Sequence, residues 1–321
     1  MKIVALEIKN VGKDISLERF NEFGELVTYM NSKPEEMAER CSGADVIIVN
    51  KLPVNENTIG SVDTLKIVLT TATGYDNIDV AFLKSRGVKV CNVKGYSTDS
   101  VAQHTFALLF YVYEKLRSYD DFVKSGEYSR HDIFTYFDEP FSELSGKVWG
   151  IVGLGEIGKR VAKIATAFGC EVVYYSTSGR NSNNDYEQVD FETLLKISDI
   201  ISVHAPLNEK TKYLFNADAF KKMKKTAVFI NVGRGPIVND RDLTDALKAD
   251  EIAAAAIDVL EKEPMDPNSP YFEITDSRKL FITPHIAWAT QEARERLVAE
   301  TYYNLKAIVD NAEPRNRIDL L

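Results

Sequence analysis

The sequence predicts an α/β protein of two domains built on parallel sheets. Three observations carry this prediction. The chain has 321 residues, and at ~150 residues per domain that length suggests roughly two domains. Short apolar runs alternate with amphipathic segments along most of the chain, and such alternation builds βαβ units. A glycine-rich turn, Gly153-Leu154-Gly155-Glu156-Ile157-Gly158, directly follows one apolar run and opens a helical segment.

In the first part of the chain, residues 4–8, 46–49, 66–69 and 89–92 read as buried strands. Residues 17–23, 34–40 and 80–85 read as the helices between them, with Gly87 placed to end the third. Residues 99–119 repeat apolar positions at three and four, through Val101, Thr105, Leu108, Leu109, Val112 and Leu116. That spacing predicts one long helix with a broad apolar face. Residues 124–143 have no period and are rich in aromatics, which reads as a long ordered loop. From Leu144 the alternation restarts, with six strands at 148–152, 171–175, 200–204, 227–231, 253–259 and 280–282. Helices at 159–168, 191–197 and 241–248 lie among them, and a helix at 291–309 closes the chain. Six strands in this rhythm match a doubly wound, Rossmann-like dinucleotide-binding domain.

Composition narrows the function classes. Hydrophobic residues make up 45% and charged residues 27%, close to globular averages, which excludes a disordered or fibrous chain. A chain this long buries about three quarters of its unfolded surface and needs no disulfide or metal staple. Thirty-nine basic and 48 acidic residues give a net charge of −9. No basic block stands against that background, so no nucleic-acid partner is expected. Cys41, Cys91 and Cys170 are widely spaced with no metal-ligand pattern, so no metal is expected, and they fit a reducing cytoplasm. The first ten residues carry Glu7 and Lys9 and do not read as a signal peptide. The longest strongly apolar run, near residues 106–113, is far short of the ~20 a membrane span needs.

The glycine turn is the strongest local motif. Gly153 permits a tight exit from the strand, Gly155 allows backbone to approach a pyrophosphate, and Gly158 lets helix and strand pack closely. Glu156 and Ile157 open the helix, whose N-terminus offers unpaired N–H groups to phosphate. NAD selectivity usually comes from an acidic residue about 20 positions on. Here the second strand runs out through Tyr175 into Ser176, with Arg180 beyond. Hydroxyls and an arginine accommodate a 2′-phosphate, so NAD is expected with NADP left open.

Three polar clusters follow later strands, where ligands gather in this architecture. They are Asn231-Val232-Gly233-Arg234-Gly235, Asp258-Val259-Leu260-Glu261-Lys262-Glu263-Pro264 and Thr283-Pro284-His285-Ile286-Ala287-Trp288. Singly, each has a bland reading as a turn, a solvated charge or a core histidine. Together behind a dinucleotide loop they describe carbonyl reduction. A histidine neutralises the developing alkoxide, a carboxylate on its other nitrogen fixes the tautomer, and an arginine grips a substrate carboxylate.

With these residues assembled, the chain resembles the D-isomer-specific 2-hydroxyacid dehydrogenase family over nearly its whole length. The resemblance rests on Gly74-Tyr75-Asp76-Asn77-Ile78-Asp79, Ser100-Val101-Ala102-Gln103-His104-Thr105, the glycine loop, His204-Ala205-Pro206-Leu207, and the three clusters. It implies Arg234, Glu263 and His285 as the catalytic triad. It implies cofactor contacts from Thr105, Ser176, His204, Ala205, Pro206, Val232, Gly233 and Asp258, the last to the nicotinamide carboxamide. It implies that the Thr73 and Gly74 amides hold the substrate carboxylate. The implied fold pairs a flavodoxin-like substrate domain, residues 1–99 and 289–321, with a Rossmann-like domain, residues 100–288, as a homodimer with the active site in the cleft.

The run from His285 to Thr290, with Trp288 near the histidine, resembles the glycerate dehydrogenase or hydroxypyruvate reductase branch. A large indole there would favour short substrates. The alternatives are a D-lactate-type enzyme for pyruvate or bulkier keto acids, and an NAD(H)-sensing binding protein like the corepressors of this fold. Glu263 argues against formate dehydrogenase, where glutamine holds that position. Pocket shape is expected to depend on the loop around Lys51-Leu52-Pro53 and on Trp288.

Overall fold

The computed structural model describes residues 1–179 and 183–320, and every statement below concerns those residues. The chain divides into two compact units. The first joins Met1–Ser97 to Ala289–Leu321, and the second is the continuous stretch Thr98–Trp288. The long helix of the second unit begins at Thr98.

The first unit holds five strands, β1 (Lys2–Ala5), β2 (Glu25–Thr28), β3 (Val46–Val49), β4 (Ile67–Thr70) and β5 (Lys89–Cys91). All pair in parallel in the order β2-β1-β3-β4-β5, which is the flavodoxin-like order. Alternate residues face opposite sides, as a pleated strand requires. Val4, Ile47, Val68 and Val90 pack with Leu83 of the helix Val80–Ser85. Ile3, Ala5, Ile48 and Leu69 pack with Val298, Tyr302 and Leu305 of the closing helix Gln291–Val309.

Two differences from the sequence reading have local causes. β1 ends at Ala5 rather than continuing to residue 8, and the chain turns into a 3-10 helix at Ile8–Asn10. Glu7 is turned inward there, and its buried carboxylate accepts the Asn50, Lys51 and Leu52 amides at 2.8, 2.9 and 3.0 Å. β2 escaped the sequence reading because it is an edge strand with no fully buried residue.

The second unit holds β6 (Val148–Val152), β7 (Glu171–Tyr175), β8 (Glu187–Gln188), β9 (Ile200–Val203), β10 (Val228–Asn231), β11 (Ala254–Ile257) and β12 (Leu280–Ile282). They form one parallel sheet in the order β12-β11-β10-β9-β6-β7-β8. The strand order reverses at β6, and the crevice at such a switch point is where a doubly wound sheet takes its ligand. Trp149, Ile151, Ile200 and Ile230 face one core; Val152, Ile201, Phe215 and Phe229 face the other.

The single helix expected over 99–119 is two helices, Thr98–Tyr113 and Leu116–Lys124. Lys115 breaks it with a left-handed backbone, φ 53°. Its Nζ donates to the Pro140 carbonyl at 2.8 Å. The second helix then lays Phe122 on Tyr136, ring centroids 4.1 Å apart, which orders the aromatic loop that follows.

Candidate active site

The glycine turn is built as its sequence requires. Gly153 has φ +93°, and a Cβ there would meet the Ala205 backbone at 2.9 Å. A Cβ on Gly158 would stand 2.3 Å from the Gly153 carbonyl oxygen, so helix and strand are in backbone contact. Gly155 caps the helix Glu156–Ala167 and is different in kind, because nothing lies within 4 Å of the space its Cβ would fill. Glu156 is exposed and pairs with Lys159 at 3.2 Å. Ile157 packs on the core. The helix N-terminus presents amide N–H groups and partial positive charge toward that open space.

The strands beside β6 end in polar side chains. Ser176 follows β7, where it is buried, and its Oγ has no partner among the described residues. Arg180 lies outside the described residues. His204 follows β9. Burial pushes its imidazole down to about 3, so the ring is neutral. Its Nε2 lies 2.9 Å from Ser202 Oγ, while its Nδ1 has no partner. Ser202 Oγ in turn accepts from Trp149 Nε1 at 2.8 Å. Ala205 is buried against the glycine turn and Pro206 is exposed.

The three later strands end side by side. After β10, the Asn231 side chain accepts the Gly233 amide at 3.0 Å and donates to the Arg234 carbonyl at 3.0 Å. This folds the turn that carries Arg234, with Val232 and Gly233 buried beneath it. Arg234 is half-buried, and its Nη1 donates to the Gly233 carbonyl at 2.9 Å. Gly235 touches the next loop so closely that a Cβ would lie 1.8 Å from the Leu260 carbonyl oxygen.

After β11, Asp258 is 1% exposed. Its carboxylate accepts Thr283 Oγ1 at 2.6 Å and the Ile286 and Ala287 amides at 2.8 and 2.9 Å. Burial opposes its charge, but bonds from His104, Thr283 and the two amides outweigh it and hold the carboxyl below the usual range. Further along, Glu263 precedes a cis proline and accepts the Leu260 amide at 3.1 Å.

After β12, His285 adopts a left-handed backbone, φ 55°, which is uncommon for a residue with a Cβ. Its amide donates to the Asp258 carbonyl at 2.8 Å. Its Nδ1 donates to Glu263 Oε2 at 2.7 Å. A carboxylate on Nδ1 fixes the tautomer and leaves Nε2 as the nitrogen available for proton transfer.

The sequence model of the D-isomer specific 2-hydroxyacid dehydrogenase, NAD binding domain, matches residues 106–287. The chain belongs to this family. Among its relatives is glycerate dehydrogenase of Methylorubrum extorquens, 34% identical over 99% of both chains. Another is hydroxypyruvate reductase of Blautia hydrogenotrophica, 33% identical over 95% of this chain and 96% of that one. Among solved structures, an acyclic imino acid reductase in complex with NADPH and D-Arg superposes with a TM-score of 0.88, at 32% identity and over 99% and 100% of the two chains. As a 2-hydroxyacid dehydrogenase the protein works with a nicotinamide cofactor. The residues present fit one. The open space over Gly155 and the unmet Ser176 and His204 atoms offer the glycine, hydroxyl and imidazole groups that phosphate and ribose need.

Other residues singled out in this dehydrogenase are placed as follows. Thr73 and Gly74 follow β4. The Thr73 hydroxyl donates to Val93 and its carbonyl accepts from Asn92, both at 2.7 Å, while neither the Thr73 nor the Gly74 amide finds an acceptor among the described residues. Trp288 is half-buried against the second unit's core. Thr105 has no exposed surface, and its hydroxyl donates to the Val101 carbonyl at 2.8 Å. No helix is long and apolar enough to cross a membrane, and no cluster of His, Cys, Asp or Glu could hold a metal, among the described residues.

The sequence alone assigns no role to Ser100, His104 or Thr283, although all three lie in motifs that carry the family resemblance. The structure connects all three to the turn that carries His285. Their partners lie 179 and 187 positions away for His104 and Ser100, so no local pattern announces them.

Proposed function

We propose that this dehydrogenase reduces short 2-keto acids, hydroxypyruvate and glyoxylate first, to the D-2-hydroxy acids, and that it accepts NADPH as well as NADH. The observation that carries the reading is the His285–Glu263 pair at 2.7 Å. The bound nicotinamide supplies the hydride in reduction and takes it back in oxidation. Arg234 grips the substrate carboxylate and polarises its carbonyl. The Thr73 and Gly74 amides, without acceptors among the described residues, are donors suited to a carboxylate. His285 gives its Nε2 proton to the oxygen that becomes the hydroxyl, and Glu263 stabilises the ring as the proton moves. Asp258 keeps one carboxylate oxygen with a single partner, from Ala287, and accepts the carboxamide there. Trp288 narrows the pocket toward short side chains.

Ser176 in place of an acidic residue removes the repulsion a 2′-phosphate would meet, which supports NADPH use. We read the protein as a cytoplasmic homodimer. Three buried, unpaired cysteines support the compartment. The exposed rings of Phe134, Phe137 and Phe141 offer an apolar surface for a second copy.

The test is a keto-acid panel run with NADH and with NADPH, alongside His285→Ala. Turnover of the short acids with both cofactors is expected. The variant is expected to bind cofactor and turn nothing over. A variant that keeps more than about a tenth of kcat removes His285 as the acid. Flat absorbance across the panel favours a binding protein.

A further inference from the structure

Ser100 and His104 stand four residues apart on the helix Thr98–Tyr113, so they share one face a turn apart. Both reach the same short segment. Ser100 Oγ donates to the Ala287 carbonyl at 2.5 Å. His104 Nε2 lies 3.0 Å from Thr283 Oγ1 and 3.6 Å from Asp258 Oδ1. The Thr283 hydroxyl has one hydrogen, and it goes to Asp258 at 2.6 Å. The bond to His104 therefore uses the imidazole's own hydrogen, which fixes Nε2 as the donor.

The contacts form a closed frame around His285. The helix holds Thr283 through His104 and Ala287 through Ser100, one on each side of the histidine. Asp258 sits at the centre, bonded to Thr283, Ile286 and Ala287 through its carboxylate and to the His285 amide through its carbonyl. The frame encloses a residue with a positive φ, a conformation that persists only where surroundings over-determine it.

We infer that Ser100 and His104 are positioning residues, a two-point clamp on the 283–287 turn that sets the reach of the His285 ring toward Glu263 and substrate. Neither touches the reacting atoms in this scheme. Their work is to hold the backbone of the general acid. The inference rests on His285 being that acid.

The test compares His104→Phe, His104→Gln and Ser100→Ala with the wild-type enzyme. His104→Phe keeps the ring volume and removes the donor. His104→Gln restores a donor of similar reach. Because a ~1 Å displacement of a reacting group costs up to ~100-fold, His104→Phe is expected to lower kcat by ~10-fold or more. The keto-acid KM should stay within about twofold, since Arg234 is untouched, and His104→Gln should recover most of the loss. Ser100→Ala, the smaller change, should show the same split more weakly and covers the case in which His104→Phe does not fold. A second readout needs no turnover: the rate at which diethyl pyrocarbonate modifies His285, followed by mass spectrometry, should change several-fold in His104→Phe and return in His104→Gln. Wild-type kcat in folded His104→Phe and Ser100→Ala, or an unchanged modification rate at His285, overturns the clamp. A wild-type enzyme inactive on every keto acid defeats the functional reading, and the modification rate then still decides the clamp.

Discussion

Gly235→Ala should uncouple the loop of Arg234 from the loop of Glu263. The added Cβ would lie 1.8 Å from the Leu260 carbonyl oxygen, 1.9 Å from its carbon and 2.5 Å from the Glu261 nitrogen. All three are backbone atoms, so no side-chain rotation relieves the overlap. A Cβ needs about 3 Å of clearance, so the two loops must part by roughly 1.2 Å. Leu260 also donates its amide to Glu263. Moving Leu260 therefore pulls on the carboxylate that holds His285. A shift of this size between catalytic groups costs on the order of 100-fold in rate, and overpacking costs about 1–3 kcal/mol of stability. Steady-state kinetics on the best keto acid, a cofactor titration by fluorescence and a thermal melt separate the effects. The expected result is kcat down ~100-fold with cofactor affinity nearly unchanged and a modest drop in Tm. A folded variant that keeps more than about half of wild-type kcat would show that this backbone contact does not set the site's geometry.

Three further outcomes are expected. Arg234→Lys should raise the keto-acid KM by ~10-fold or more, because an ammonium cannot reproduce the two-pronged grip of a guanidinium; an unchanged KM would remove Arg234 from the carboxylate. Ser176→Asp should raise the NADPH KM at least about tenfold while leaving NADH within a few-fold, measured by turnover at saturating keto acid. Asp240 is the pH prediction. Burial pushes its carboxyl from the usual 3.8 up to about 6, so between those values the folded chain holds a proton that the unfolded chain has released. Stability from this group is present at acid pH and lost as pH rises through that window. Asp240→Asn stays neutral, so its Tm relative to wild type should climb between pH 4 and pH 7. A difference that is flat across that range contradicts the assignment.

Much of the second unit was readable because its strands are buried on both faces and therefore appear as unbroken apolar runs, as in residues 148–152 and 228–231. The Gly153 turn was readable because Gly153 and Gly158 each answer a steric demand that the structure displays. What stayed hidden had weak or non-local signals. β2 and β8 are edge strands with exposed residues and no pattern to mark them. Lys115 breaks a helix without a glycine or proline to announce it. Thr105 is buried within the helix packing, while its neighbour His104 faces the His285 turn. Helix period alone does not say which face of residues 100–105 meets the core and which meets the site.

The continuity of the second unit and the split of the first set an order of events during synthesis. Thr98–Trp288 emerges as one piece with its own sheet and cores. The first 97 residues emerge earlier, but one face of their sheet is covered by Val298, Tyr302, Leu305 and Ile308. At ~5–20 residues per second, the ribosome delivers that helix roughly ten to forty seconds after Ser97. For that interval Ile3, Ala5, Ile48 and Leu69 have Val11, Leu17 and Phe20 against them but lack the closing helix. The part of the protein made first is the part that folds last, and a premature stop late in the reading frame would strand the N-terminus rather than the residues nearest the break.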